Sequence, residues 1–188
     1  MSKKIKTVKS KSQLQSLLSK VSKGKDLLNR WIDLDPIFVG EMQSADYMMS
    51  IHKHLLESTK AITLKGHWCE FGVRAGRSLN WMIDEYPQQV IHAFDSWQGL
   101  PEDWNHGTGK VADMSCNPPV VPRHIQLHKG WFKHTVPTWK ENNKGPVAFL
   151  HMDADIYSST KEVLTLLNDQ IVPGTVITFD EFCNFRLS

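Results

Sequence analysis

The sequence predicts an open α/β sandwich, with helices on both faces of a parallel sheet. From Gly66 onwards, short apolar segments alternate with stretches of helical pattern. Strands and helices that alternate along a chain favour a parallel sheet with right-handed crossover connections. The chain has 188 residues, of which 40% are hydrophobic, so it is large enough to bury the core of one such domain.

Five strands are predicted in this part of the chain. They cover residues 67–73, 90–95, 125–128, 147–152 and 175–180, with helices predicted at 77–85 and 158–170. Two helices are predicted before the sheet, a short one at 12–31 that is broken by Gly24 and a second at about 44–59. We therefore expect a basic arm with helices over residues 1–60 and a ligand-binding α/β domain over residues 61–188.

The charge is distributed unevenly along the chain. Residues 1–30 contain nine basic side chains and one acidic side chain, whereas the rest contains thirteen basic and nineteen acidic ones. A basic arm on an acidic body can contact nucleic acid or an anionic surface. No aromatic side chain lies among these lysines before Trp31, so we favour a solvated, disordered leader over a nucleic-acid-binding arm.

The composition also bears on the compartment. No apolar run approaches the ~18 residues of a membrane span, and no apolar stretch follows the N-terminal lysines as in a secretory signal. The three cysteines, Cys69, Cys116 and Cys183, lack the spacing of a metal site. We expect them to be reduced thiols in a cytoplasmic protein that has no membrane partner.

The turn after the first predicted strand has the features of a ligand-binding turn. Gly72 and Gly76 let the backbone bend sharply and approach a ligand, and the start of the next helix offers free N–H groups. The second strand ends at Asp95, which can accept hydrogen bonds from the two hydroxyl groups of a ribose. A nicotinamide-binding protein would share these features, so they predict only a nucleoside cofactor.

Two details favour a ligand without a pyrophosphate. The third close glycine of the dinucleotide fingerprint is absent, because the glycine after Gly72 is Gly76. Glu70 would be badly placed beside two phosphate groups, but it is well placed to meet the cationic amino group of a methionine moiety.

Four acidic residues lie at the carboxyl ends of the last two predicted strands. Asp153 and Asp155 come after the fourth strand, Asp180 ends the fifth, and Glu181 follows it. Adjacent parallel strands would bring them to one edge of the sheet, where like charges need a cation or protons between them. Carboxylates suit Mg²⁺, Ca²⁺ or Mn²⁺, which can lower the pKa of a substrate hydroxyl while a remaining carboxylate takes its proton. Asp155 and Glu181 could instead cap helices or face solvent.

Together these segments resemble the macrocin O-methyltransferase (TylF-like) family of class I methyltransferases. The resemblance covers roughly residues 66–185. Its most specific stretches are Phe94-Asp95-Ser96-Trp97-Gln98-Gly99-Leu100-Pro101-Glu102 and His151-Met152-Asp153-Ala154-Asp155-Ile156-Tyr157. It also includes the turn that begins at Glu70, Lys129-Gly130-Trp131-Phe132, Val172-Pro173-Gly174 and Phe179-Asp180-Glu181.

The resemblance implies a Rossmann-like fold and the O-methylation of a sugar hydroxyl on a small molecule. It implies that S-adenosylmethionine contacts Glu70, Phe71, Gly72, Gly76, Ser78, Asp95, Ser96, Gly130, Trp131 and Asp153. Within that set, Asp95 would bind the ribose, and Gly130 and Trp131 would lie near the adenine. By the same resemblance, Asp153, Asp180 and Glu181 would hold Mg²⁺ or a similar ion, and Asp155 would be the catalytic base.

The chain departs from this family at three points. Glu181 stands where an aspartate is common, and His134 where an acidic residue is common. The chain also ends at Ser188, before the last two strands of the class I methyltransferase fold. We therefore expect an incomplete domain whose fifth strand is an open edge, and a second copy of the chain is a candidate to cover that edge.

Three other functions fit parts of the sequence. A nicotinamide-dependent oxidoreductase would use Tyr157 and Lys161, which have the right spacing, but it would need a dinucleotide turn. A glycosyltransferase could hold a nucleotide-sugar diphosphate through Mn²⁺ at Asp153 and Asp155, which leaves the turn after Glu70 unexplained. A domain that binds the methyl donor without catalysis remains the third alternative.

Overall fold

A computed structural model of the chain describes residues 51–102 and 114–180. All of these residues belong to the second of two compact units, Met48–Ser188. The predicted arm, the helix predicted at 12–31 and the start of the helix predicted at 44–59 lie outside the described residues, as does Glu181. None of the helices in the described residues combines the length and the apolar composition that a membrane span requires.

Five parallel strands form one open sheet. In chain order they are β1 (His67–Phe71), β2 (Ile91–Asp95), β3 (Gln126–Lys129), β4 (Val147–Met152) and β5 (Val176–Phe179). Their order across the sheet is β3-β2-β1-β4-β5, and each neighbouring pair is parallel. Because the chain continues from β1 to one side and later returns to the other, β1 and β4 flank the switch point where such sheets bind ligands.

Helices cover both faces of this sheet, as the sequence predicts. On one face, α1 (Ile51–Lys60) and α2 (Arg77–Glu85) bury Leu55, Leu79 and Met82 against β1, β2 and β4. On the other face, α3 (Phe132–Asn142) and α4 (Tyr157–Leu166) bury Val136, Trp139 and Val163. Each large side chain buried in this way contributes about 1.5–3 kcal/mol relative to an exposed one.

Alternation along the strands divides the core between these two faces. In β2, Ile91 and Ala93 pack on the side of α1 and α2, whereas Phe94 packs on the side of α3 and α4. In β1, Trp68 and Cys69 divide in the same way. The period of two follows from strand geometry, and it decides which functional side chains lie under which helices.

A row of histidines crosses the α3 side of the sheet. His67, His92 and His128 lie on three neighbouring strands, and the Nδ1 of His92 is 3.2 Å from the Nε2 of His128. Burial, together with the nearby charges of His128 and His67, lowers the pKa of His92 to about 4. Burial also lowers the pKa of His128. Burial therefore favours the neutral form of His92 and His128 in the folded protein.

The observed strands agree closely with the predicted ones. The fourth strand and the helix at 77–85 have the predicted bounds, and α4 begins one residue before the predicted start and ends four before the predicted end. The first strand stops at Phe71, two residues early, because Gly72 takes a φ of +87° that leaves the strand conformation. The helix α3 was not predicted, and it contains Pro137, which has no N–H group for a helical hydrogen bond.

Candidate active site

A cavity of about 580 Å³ opens at the carboxyl ends of the strands. Residues that end or directly follow four strands line it, namely Gly72, Asp95, Gly130 and Asp153. This volume lies within the range of about 300–1,000 Å³ that small-molecule sites occupy. The remaining wall comes from Arg74, Ser96, Gly99, Leu100, Pro101, Glu102, Met114, Trp131, Phe132, Lys133, Ala154, Asp155, Ser158, Ser159 and Glu162.

The turn after β1 brings two strand ends into contact. The N–H of Gly72 donates to the carbonyl of Phe94 at 3.0 Å, and the N–H of Asp153 donates to the carbonyl of Phe71 at 2.9 Å. A side chain at Gly72 would collide with the carbonyl oxygen of Asp153. Glycine is therefore required at this position both by the positive φ and by the space available, and the bare backbone forms the floor of the cavity.

Asp95 accepts hydrogen bonds from the loop that follows β1 and from the loop that follows β2. Its Oδ2 accepts hydrogen bonds from the N–H groups of Val73 and Arg74, at 2.8 and 2.7 Å. Its Oδ1 accepts one from the N–H of Trp97 at 2.7 Å, and the Trp97 indole N–H donates to the carbonyl of Arg74 at 2.8 Å. The carboxylate thus has a structural function that the sequence did not reveal, and its contact with a ribose stays a prediction.

Ser96, Gly130 and Trp131 complete this side of the cavity. The hydroxyl of Ser96 donates to the carbonyl of Gly99 and accepts a hydrogen bond from the N–H of Gln98. It therefore stabilises the loop after β2, which forms part of the cavity wall. The N–H of Gly130 donates to the carbonyl of Asp95 at 2.9 Å. Trp131 directly precedes α3. All three predicted donor-binding residues therefore line one cavity with Asp95.

Glu70, by contrast, is fully buried beneath the cavity. Its Oε1 accepts a hydrogen bond from the hydroxyl of Ser78 and lies 2.9 Å from the Nδ1 of His151. Its Oε2 has no hydrogen-bond partner within the described part of the protein. Phe71 is buried between β2 and α3, where it stacks on Phe94.

Burial alone would lower the pKa of His151, which has no exposed surface. The hydrogen bond and charge of Glu70, followed by the charges of Asp153 and Asp180, outweigh burial and raise that pKa. His151 and Glu70 thus form a buried hydrogen-bonded pair under the acidic edge of the sheet, and the pair is ionic only when the imidazole is protonated. Sequence reasoning missed His151, although its position two residues before Asp153 on a buried strand was a usable signal.

The acidic residues come together as predicted, so far as the structure describes them. Asp153 and Asp155 line the cavity, and the N–H of Asp180 donates to the carbonyl of Met152 at the neighbouring strand end. Burial and the charge of Asp180 raise the pKa of Asp153 to about 7. One ligand atom from each of His151, Asp153 and Asp180 lies within 4.8 Å of the others. The raised pKa of Asp153 shows that a negative charge is costly beside Asp180 in this buried place. A divalent cation would remove that cost, so the pair suits a metal site.

The outer wall contains residues that the sequence analysis did not select. Ser158, Ser159 and Glu162 project from the first two turns of α4, and the hydroxyl of Ser158 donates to Glu102 at 2.7 Å. Glu162 is four positions after Ser158 and three after Ser159 on the helix that follows Asp153. That spacing places them on one helix face, which could have predicted their position in the sequence analysis. Gly76, the remaining predicted residue, has a φ of +82° and precedes α2.

Comparison with known proteins assigns this arrangement to a family. Residues 69–182, which are more than half of the chain, match the family described as a methyltransferase domain. The chain belongs to this methyltransferase family. The matched segment includes β2 to β5, the last three residues of β1 and each residue that ends or follows a strand at the cavity, so the family match and the cavity cover the same part of the chain.

Two curated relatives of the methyltransferase domain are distant O-methyltransferases. Mycinamicin III 3''-O-methyltransferase from Micromonospora griseorubida is 26% identical over 157 residues, covering 70% of this chain and 61% of the relative. Demethyldecarbamoylnovobiocin O-methyltransferase from Streptomyces niveus is 27% identical over 113 residues, covering 50% of this chain and 42% of the relative. The chain therefore spans about half of the length of these relatives.

Solved structures confirm the fold of the methyltransferase domain. The crystal structure of calicheamicin methyltransferase superposes with a TM-score of 0.60 at 22% identity, covering 93% of this chain and 77% of that one. An apo structure of the TDP-rhamnose 3'-O-methyltransferase of calicheamicin biosynthesis gives a TM-score of 0.54 at 23% identity with the same coverage. The predicted Rossmann-like fold is thereby confirmed.

Proposed function

We propose that this chain binds S-adenosylmethionine in the cavity and transfers its methyl group to a hydroxyl of a sugar or glycosylated small molecule. The main support is the cavity itself, which lies between the glycine turn after β1 and the acidic residues after β4. The two curated relatives are both named as O-methyltransferases, one of mycinamicin III and the other of demethyldecarbamoylnovobiocin. The likeness to the macrocin family in particular stays part of this proposal.

The polar groups of the cavity fit the parts of this donor. Asp95 and Ser96 would face the ribose, and Gly130 and Trp131 would flank the adenine. Glu70 supplies a buried negative charge with one oxygen that lacks a partner within the described residues. A cationic amino group is the complement that such an oxygen requires, which supports Glu70 as the residue that binds the methionine end.

The reaction would be an in-line displacement. The acceptor oxygen forms a bond with the methyl carbon while the carbon–sulfur bond breaks, and its electron pair stays on sulfur to give S-adenosylhomocysteine. The proton of the acceptor hydroxyl passes to a carboxylate, for which Asp155 at the cavity wall is our candidate. Asp155 has a φ of +58°, a backbone conformation uncommon outside glycine and often found at functional sites.

A divalent ion would fit the acidic edge beside this base. Asp153 and Asp180 would hold it, and Glu181, outside the described residues, is the third predicted ligand. When bound, such an ion polarises the acceptor hydroxyl and lowers its pKa. The protein's own part is to keep Asp153 and Asp180 close together at adjacent strand ends and to orient Asp155 toward the cavity.

The direct test is calorimetric titration of the whole chain with S-adenosylhomocysteine and, separately, with NAD⁺. We expect micromolar binding of the first and no binding of the second. Binding of NAD⁺ alone would favour the oxidoreductase, and binding of neither would contradict a nucleoside site in this cavity. A panel of glycosides and nucleotide sugars with radiolabelled donor then tests methyl transfer, and donor binding without transfer to any hydroxyl would favour the non-catalytic alternative.

Further predictions concern partners and location. The strand β5 forms one edge of the described sheet, and we propose that a second copy of the chain is one candidate to pair with it. Sedimentation equilibrium would show a dimer in that case and a monomer otherwise. A cytoplasmic location and a solvated N-terminal arm without nucleic-acid binding stay predictions.

A further inference from the structure

We propose that His151 is itself a metal ligand, through Nε2, and that it gives the site beside Asp153 and Asp180 a preference for a first-row transition-metal ion over Mg²⁺. The sequence and the family resemblance predict only carboxylate ligands. The inference deepens the proposed function, because it concerns the ion that would assist the transfer. It can nevertheless be tested without any methyl donor.

The first observation is an unsatisfied nitrogen. The side chain of His151 is completely buried, and its Nε2 has no hydrogen-bond partner among the described residues. Buried polar atoms in folded proteins are nearly always paired, so each exception needs an explanation. A metal ion is one group that would satisfy an imidazole nitrogen at this place.

The second observation is the distance to the neighbouring carboxylates. One ring nitrogen of His151 and one oxygen each of Asp153 and Asp180 lie within 4.8 Å of one another. Two ligands on opposite sides of one transition-metal ion lie about 4.2 Å apart, since each bond is about 2.1 Å long. Small rotations of the aspartate side chains would therefore bring all three atoms to bonding distance.

The third observation is the carboxylate behind the imidazole. The Oε1 of Glu70 is 2.9 Å from the Nδ1 of His151 and also accepts the hydroxyl of Ser78. A histidine that binds a metal almost always donates its other N–H to a carboxylate, carbonyl or water, which fixes the tautomer with its lone pair toward the ion. Because Nδ1 is engaged by Glu70, Nε2 is the nitrogen that remains for a metal.

This ligand set determines which ions are expected. Carboxylate and water ligands alone suit Mg²⁺, whereas an imidazole ligand favours first-row transition metals. One nitrogen with two carboxylates would still accept Mn²⁺, which is a convenient probe because it is paramagnetic. We therefore expect Mn²⁺ to bind more tightly than Mg²⁺.

The test is pulsed electron paramagnetic resonance of Mn²⁺ bound to the full chain. We expect a nitrogen coupling from imidazole that changes when the protein is labelled with ¹⁵N-histidine. In His151→Gln this coupling should disappear and the preference for Mn²⁺ over Mg²⁺ should fall about tenfold or more, while Glu70→Gln should weaken Mn²⁺ binding about 10–100-fold. His128→Gln, on the opposite face of the sheet, is the matched control and should keep the coupling.

Three results would overturn the proposal. They are Mn²⁺ bound to the wild-type chain without nitrogen coupling, a coupling that survives in His151→Gln, and no Mn²⁺ binding at millimolar concentration. The isotope experiment uses the wild-type chain, so an absent nitrogen coupling overturns the proposal even if His151→Gln fails to fold, whereas the variant assigns an observed coupling to His151. Titration with S-adenosylhomocysteine is scored separately: normal donor binding without nitrogen coupling would refute the histidine ligand and leave the proposed function standing.

Discussion

Replacing Asp95 by alanine is expected to loosen two loops as well as the donor site. The carboxylate accepts three backbone hydrogen bonds, from Val73, Arg74 and Trp97. A hydrogen bond to a charged group contributes about 1.5–3 kcal/mol, and water can replace part of this at the exposed bond to Arg74. We therefore expect the free energy of unfolding to fall by roughly 2–4 kcal/mol.

Urea denaturation followed by tryptophan fluorescence measures this loss, and Asp84→Ala is the matched control. Asp84 is an exposed acid on α2, so its removal changes the net charge equally without touching the cavity. Calorimetry should show that Asp95→Ala also lowers affinity for S-adenosylhomocysteine about tenfold, the equivalent of one lost hydrogen bond of 1.4 kcal/mol. A stability change within about 0.5 kcal/mol, as at ordinary surface positions, would refute the anchoring function of this carboxylate.

Three other changes separate the contributions of backbone, base and histidine row. Gly72→Ala should lower the melting temperature more than Gly145→Ala in a thermal scan, because both glycines have positive φ but only the first would also collide with Asp153; equal losses would show that the collision is relieved. Asp155→Asn should reduce the turnover number about 10²–10⁴-fold in a radiolabelled methyl-transfer assay while leaving donor affinity unchanged, and an unchanged rate would remove Asp155 as the base. The pKa of His92 is lowered to about 4 in the folded protein, so its stabilising contribution is complete above pH 6.5 and is lost as the pH falls from 6.5 toward 4. Between pH 6.5 and 4, the free energy of unfolding from urea titrations should fall by about 2–3 kcal/mol less in His92→Gln than in the wild type. Equal pH dependence of the free energy of unfolding in the two proteins would contradict the lowered pKa of His92.

The sequence was most informative where chemistry coincides with the end of a strand. Asp95, Asp153 and Asp180 each end or directly follow an apolar segment, and parallel strands present such residues at one edge of the sheet. For that reason the cavity and the residues that line it at the strand ends could be expected from the sequence, whereas Glu70, Phe71 and Ser78 lie buried outside its lining. The positive φ of Gly72 shortened β1, which a glycine after an apolar run already suggests.

The helix α3 shows where pattern reasoning fails. Its buried Val136 and Trp139 have helical spacing, but Pro137 lies between them and predicts an interruption. Packing against β2 and α4 holds the helix despite the missing hydrogen bond. Tertiary contacts of this kind outweigh local propensity, and no local reading of residues 132–142 contains them.

The pairing of Glu70 with His151 depends on strand register, which the sequence does not specify. The alternation of β1 places Glu70 on the same face as Trp68, under α2, so a partner for a buried carboxylate was required there. The structure sets β1 beside β4 with Glu70 opposite His151. A slip of one residue would place Leu150 or Met152 next to the carboxylate, and a buried charge beside an apolar side chain is strongly destabilising. The contact between Glu70 and His151 therefore favours the register that also brings Asp153 beside the turn at Gly72, so one buried hydrogen bond aligns the predicted donor and metal sites.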